Sequence, residues 1–278
     1  MTELLRLEGI HYRYEEKYPA LIDVSTTIHR GERIAVLGNN GAGKSTFFLC
    51  CNGVLIPQKG KIYLKGREIG KNKKDLSELR QSVGLVFQEP DSQIIAGTVE
   101  NEVSFGPINL GLDRDEVKNR ISSSLSRMNL SGYENRAPQY LSGGEKKRVS
   151  IADILAMEPD MILLDEPTAS LDPENVELLG QTLDELNRAG ITLVVSTHDV
   201  DFAYCFSTRA IVFSKGEIIA DDDIDRVFAQ ADIMQRAGLK KPLLYSAAEM
   251  LEERFPNISV QEKPRSISEL RELISRLG

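Results

Sequence analysis

The sequence predicts an α/β fold: a core of short parallel strands and helices, a small antiparallel β subdomain, an inserted helical subdomain and a small C-terminal α/β tail. Three observations predict it. Short apolar strand patterns alternate with helical ones along most of the chain. One such strand runs straight into the glycine-rich stretch Gly38-Asn39-Asn40-Gly41-Ala42-Gly43-Lys44-Ser45-Thr46. The strand series is interrupted once, over residues 91–157, by segments that read as helix alone.

The glycine-rich stretch fits G-x-x-x-x-G-K-[ST] at every fixed position, with an apolar strand at 33–37 before it and a helix at 46–51 after it, stopped by Gly53. That is the form of a phosphate-binding loop. Glycines let the backbone close around an anion, and the following helix turns its N-terminal amides toward it. Lys44 is placed for the β- and γ-phosphates of a nucleoside triphosphate, and the Ser45 hydroxyl for Mg²⁺.

Composition limits the alternatives. The 278 residues suffice for one large domain or for a domain with an appendage. A hydrophobic fraction of 41%, a charged fraction of 27% and a net charge of −8 describe an ordinary globular chain and a poor electrostatic partner for nucleic acid. Cys50, Cys51 and Cys205 form no metal-binding spacing and read as small buried residues of a reducing compartment. The first residues lack the pattern of a secretory signal, and no run of 18 apolar residues suggests a membrane span.

In order, residues 4–14 alternate like an exposed or edge strand. Pro19 and Asp23 punctuate the chain before a strand at 24–28. Further strands are expected at 61–64, 83–87, 161–164 and 191–195, and a hairpin at 210–213 and 217–220 turns on Lys215-Gly216. The basic stretch 59–80 carries interleaved acids and no aromatic row, so it reads as a solvated face rather than a nucleic-acid contact. Helices are expected over 98–104, 113–128 and 144–157, and Asp172-Pro173 starts another that ends near Arg188. The domain division is 1–230, with the helical subdomain at about 88–158, and a tail at 231–278. In that tail, Ser246 and Ser266 each begin a capping-box pattern, and the second opens a helix with Ile267, Leu270, Leu273, Ile274 and Leu277 on one face.

Polar groups follow four apolar strands: the phosphate loop, Gln88, the pair Asp165-Glu166, and His198. Ligands of open parallel sheets bind at the carboxyl ends of the strands, so these groups point to one hydrolytic site. Asp165 suits a Mg²⁺ shell, Glu166 suits orientation or deprotonation of the attacking water, and His198 suits the γ-phosphate. Gln88 can reach the metal or the water. Ser142, Gly143 and Gly144 open a helix and form a second anion site with no nucleotide pocket of its own, which points to recognition in trans. The acids Asp221, Asp222, Asp223 and Asp225 have no imidazole or thiolate nearby and read as solvated turn acids rather than a metal site.

These motifs resemble the ATP-binding subunits of ABC transporters, in the family's order, over about residues 3–225. The stretch 38–46 resembles Walker A, Gln88 the Q-loop, 141–145 the family signature, 161–166 Walker B, 170–172 the D-loop, and His198 the switch histidine. The resemblance implies a RecA-like core, and ATP with Mg²⁺ as ligands. It implies Tyr14, or Tyr12 close by, stacked on adenine. It assigns catalysis to Glu166, His198, Gln88 and Lys44, metal ligation to Ser45, Gln88 and Asp165, and nucleotide binding to residues 38–46, Tyr14, Asp172 and Ser142, Gly143 and Gly144, the last three toward the opposite subunit's ATP. The runs at 88–94 and 103–107 resemble the energy-coupling-factor group of importers, although Glu89 stands where members commonly have Asn. The group implies a second ATPase subunit, identical or different, helped together by the tail. It also implies an integral membrane coupling subunit, a substrate-binding membrane subunit, and attachment at the cytoplasmic face of the cell membrane. Cobalt or nickel is the first expected cargo and a vitamin the second. A soluble ABC ATPase acting on nucleic acid or ribosome fits less well, because the chain has one cassette and no long heptad run.

Overall fold

A computed structural model describes residues 2–15, 18–255 and 263–276. Strands β1 (Glu3–Glu15), β2 (Tyr18–His29), β4 (Lys59–Leu64) and β5 (Arg67–Glu68) form an antiparallel sheet in the order β2-β1-β4-β5. The second sheet has the order β10-β9-β3-β8-β7-β6, built from β3 (Arg33–Leu37), β6 (Val83–Val86), β7 (Met161–Asp165), β8 (Thr192–Ser196), β9 (Arg209–Ser214) and β10 (Glu217–Asp223). Its five strands from β9 to β6 are parallel, and β10 joins the edge antiparallel. The expected core and antiparallel subdomain are thus both present.

Two strand expectations change in detail. β1 is an inner strand, because β4 pairs along its other side, Leu5 with Leu64 and Leu7 with Ile62. Bulges in its pairing with β2 break the alternation, which is how adjacent Leu4 and Leu5 both become buried. β2 runs through Pro19 and Asp23 rather than starting after them. As an outer strand it tolerates a proline without losing a ladder bond, and Asp23 takes a left-handed φ of 51° beside a bulge.

Helix α1 (Lys44–Cys51) packs between the sheets, with Phe47, Phe48, Cys50 and Cys51 buried. Helix α2 (Lys73–Ser82), capped by Asn72, fills the basic stretch. There Lys61 pairs with Glu68 at 2.8 Å, and Arg67 with Asp75 at 2.9 Å and Glu78 at 2.7 Å. The interleaved acids are thus engaged by Lys61 and Arg67, and Lys65 pairs with Asp160 at 2.7 Å, while the face keeps an excess of basic residues. Helices α3 (Val99–Asn109), α4 (Arg114–Arg127) and α5 (Gly143–Leu155) form the inserted subdomain between β6 and β7, over a core that includes Val103, Ile121, Leu125, Val149 and Ile151. Thr98, Asp113 and Ser142 cap them. Helix α6 (Pro173–Arg188) begins at the Asp172 cap as expected. Cys205 is exposed, against expectation, because it lies on the outer side of α7 (Val200–Phe206) while Ala203, Tyr204 and Phe206 face inward.

After α8 (Ile224–Ala229), the tail holds α9 (Ala231–Ala237), α10 (Leu243–Arg254) and α11 (Ile267–Ser275); its described residues contain helices and connections but no strand, and 256–262 lie outside them. It is not a loose appendage. Tyr245, 2% exposed, packs edge-on against Tyr204 with ring centroids 5.7 Å apart. The Arg265 guanidinium lies 4.2 Å from the Tyr204 ring centroid and donates to Asp225 at 2.7 Å and to the Ser207 carbonyl at 3.0 Å. Ser246 sits inside α10 rather than capping it, because Asp201 accepts from the Leu243 amide at 2.6 Å and starts the helix earlier. The acids at 221–225 are more than solvated turn residues: Asp221 binds Arg209 and Thr26, Asp223 caps α8, and Asp225 joins Tyr204 to Arg265. Among the described residues no helix is long and apolar enough to cross a membrane.

Candidate active site

The parallel register carries the ends of β3, β6, β7 and β8 to one edge of the sheet: Val36 is level with Ser196, Asp165 with Ser196, and Val86 with Leu164. The groups following those strands therefore meet. They line a cleft of about 400 Å³ together with Tyr14, Ala20 and residues 40–46: Gln88, Asp165, Glu166 and His198.

The loop's local geometry explains its sequence. Gly43 has a φ of 111°, and a Cβ there would fall 2.7 Å from the Ala20 carbonyl. Gly38, at 140°, would put one 2.3 Å from the Phe213 carbonyl. Both positions require glycine. No side chain caps α1, so its first-turn amides remain turned to the cleft, as anion binding requires. Gly38 and Asn39 are not among the residues lining the cleft, and the Asn39 side-chain amide lies against Gly238.

Lys44, 7% exposed, donates to the Gly38 carbonyl at 2.7 Å and stands 4.0 Å from Glu166. Burial pushes its pKa down, while Glu166 and Asp165 oppose that. Glu166 adopts a left-handed φ of 44° as the chain leaves β7, and its amide donates to the Ser196 carbonyl at 3.0 Å. Its carboxylate meets His198 Nδ1 at 2.8 Å. The Ser196 hydroxyl donates to Asp165. Tyr14 reaches Thr46, hydroxyl to hydroxyl, at 3.2 Å, whereas Tyr12 packs against the core and makes an edge contact with the Tyr14 ring. Of the two tyrosines, Tyr14 lines the cleft.

The donor set fits the implied ligands. The cleft offers an ammonium and a helix N-terminus for phosphates. Ser45, Gln88 and Asp165 offer hydroxyl, amide and carboxylate oxygens, the hard donors Mg²⁺ takes.

Ser142, Gly143, Gly144 and Asp172 do not line this cleft. Ser142 and Glu145 form a full capping box at the start of α5, and Tyr133 donates to Glu145 at 2.8 Å. Those bonds hold the Glu145 carboxyl below its usual range. Asp172 caps α6 through Asn175, whose side chain lies against Gly144 and accepts from Arg148 at 3.0 Å. The signature and Asp172 thus share a second surface.

Sequence reasoning missed Ser196 and Lys147. Ser196 gave no signal beyond ending a strand. Lys147 is buried with its ammonium against the carbonyls at the end of β6, and burial pushes its pKa down to about 8. Its spacing from Gly144 and Ile151 places it on the inner face of α5, and that spacing was readable.

Fold and cleft together define a P-loop ATPase. The model for the ABC transporter family matches residues 21–169. The energy-coupling factor transporter ATP-binding protein EcfA of Methanothermobacter thermautotrophicus is 47% identical over 239 residues, 86% of this chain and 77% of that protein. A putative ABC transporter ATP-binding protein of Methanothermobacter marburgensis is 44% identical over 97% of both chains. Among solved structures, CbiO1 of Clostridium perfringens, described as part of the ABC transporter complex cbiONQ, is 36% identical with a TM-score of 0.77, covering 90% of this chain and 100% of that one. The chain belongs to the ABC transporter ATPases, in their energy-coupling-factor group. It is the ATP-binding, ATP-hydrolysing subunit of such a transporter.

Proposed function

We propose that two such ATPase subunits, identical or paired with a related one, meet head to tail and hydrolyse MgATP between them to drive import. The observation that carries this is the separation of two half-sites on one chain. Lys44, Glu166 and His198 face one another in the cleft, while Ser142 and Gly144 lie on another surface. A second subunit brings the halves together. Glu166 then orients and deprotonates the attacking water, held by His198, which also reaches the γ-phosphate. Lys44 and the α1 amides bind the phosphates. Ser45, Gln88 and Asp165 hold Mg²⁺, which supplies charge neutralisation when bound. Tyr14 stacks on adenine, and Asp172 lines the subunit contact.

The outlet for the work is the inserted subdomain. Ile95, Phe105 and Ile108 are 79%, 60% and 58% exposed, whereas Val99 and Val103 between them are core. We assign this apolar surface to a coupling subunit in the membrane, which, with a substrate-binding membrane subunit, holds the ATPase at the cytoplasmic face. Cobalt or nickel is the cargo we propose, on the resemblance of residues 88–94 and 103–107, with a vitamin second. Single cysteines at Asp91, Ser92 and Gly97 in the assembled transporter should crosslink to the coupling subunit with yields that change on adding ATP. Crosslinks that map instead to the basic face at 59–80 sink the docking model. Uptake of radiolabelled Co²⁺ or Ni²⁺ by cells expressing the full transporter, set against vitamin uptake, tests the cargo.

The tail's role in association is part of the same proposal. On α11, Ile267 and Ile274 are 65% and 50% exposed, no residue of the helix is buried, and Leu277 lies outside the described residues. Truncation before α10 would strip Tyr245 from Tyr204, so a surface variant is the better test. Ile267→Asp with Ile274→Asp should weaken nucleotide-free association about tenfold or more while leaving Tm unchanged. Unchanged sedimentation would count against the tail as a contact between subunits.

A further inference from the structure

Lys147 is 2% exposed and stands on α5, the helix that begins with the signature. Its ammonium donates to the carbonyl of Phe87 at 3.2 Å and to that of Gln88 at 2.5 Å. A buried ammonium satisfied by carbonyls is costly to leave unpaired, so these bonds fix the distance between helix and loop. Two weaker ties run alongside. Lys146 pairs with Asp91 at 2.7 Å, but Asp91 is 75% exposed and such a pair is worth little. The Gln93 side chain accepts from the Phe87 amide at 3.2 Å and donates to the Ser150 carbonyl of α5 at 3.0 Å. Segment 87–93 is therefore fastened to α5, and Lys147 grips Gln88 itself.

The geometry points to Lys147 as a positioning residue that ties Gln88 in one ATP site to the helix presenting Ser142 and Gly144 to the other. A shift of α5 onto the opposite subunit's nucleotide then carries Gln88 with it, so occupancy of one site sets the metal and water geometry of its neighbour. This rests on the composite-site reading above. Lys147 is the side chain through which the two sites communicate.

The test uses the full chain as its ATP-bound dimer, in a Cys205→Ser background with spin labels at Ser92 and Gln139, one on the loop and one just before α5. Lys147→Met should lower kcat about tenfold to a hundredfold, the scale of a small misplacement, with KM for ATP within about twofold. It should also broaden the label-to-label distance distribution. Lys147→Arg, which keeps N–H donors, should restore most of both. Wild-type kcat in Lys147→Met overturns the proposal, and so does lost turnover with an unchanged distance distribution, since that is a structural defect without coupling. Should Lys147→Met not fold, Lys147→Gln takes its place. A lower kcat together with broadening then supports the tether, and the absence of either overturns it. Failure of the composite-site reading shows separately, in mixed dimers that keep Lys147.

Discussion

Glu166→Gln is expected to bind ATP as the wild type does and to turn it over at least about 10²-fold more slowly, the usual loss on removing a general base. The geometry carries the expectation. Glu166 sits at the mouth of β7, 4.0 Å from Lys44 and 2.8 Å from His198, in a cleft it lines with the phosphate loop. Glutamine keeps the size and a carbonyl oxygen for His198 but takes no proton from water. Lys44 remains held by the Gly38 carbonyl, so the phosphate cradle survives the change. With binding kept and hydrolysis stalled, a dimer loaded with ATP should accumulate, visible by sedimentation. Wild-type turnover of this variant in the assembled transporter would remove Glu166 from its assigned role.

The second large effect comes from splitting the site between chains. Lys44→Ala removes the cleft's cation, and Ser142→Arg places a bulky side chain on the signature surface. In a homodimer of either variant both interfaces are damaged, and ATP-driven association should fall by about 10²-fold, the scale of losing a key electrostatic partner. A mixed dimer has one interface carrying both lesions and one carrying none. Random mixing should therefore restore about a quarter of intact interfaces, since half the dimers are mixed and half their interfaces are whole. The separation of Ser142 and Gly144 from the cleft makes this recovery the expected result. Mixed dimers that form and do not recover would mean that the signature serves its own chain.

Much of the cleft is legible in the sequence. Gly38 and Gly43 proved to sit where a Cβ would strike the Phe213 and Ala20 carbonyls, so the loop's spacing encoded a close backbone approach. Gln88, Asp165, Glu166 and His198 were found because each ends an apolar run, and parallel pairing brings such ends to one edge. Helix starts at Asp113, Ser142, Asp172 and Ser266 were readable because capping is local chemistry between residues close in sequence. Ser246 failed as a cap for the opposite reason. Asp201, more than forty residues away, supplied the acceptor instead.

The phosphate loop, the places along the chain of the strands that surround it, and the identity of the groups at their ends were all legible in local sequence. Those features rest on periodicity, capping and backbone freedom, which act over a few residues. Long-range packing instead makes β1 an inner strand, brings Tyr14 rather than Tyr12 to the cleft, seats the tail on Tyr204, and sets Lys147 against the carbonyl of Gln88. Each of these depends on a partner distant in the chain. Burial then decides the outcome: a lysine or tyrosine taken out of water must find its bonds wherever the fold brings an acceptor, and no local pattern records where that will be.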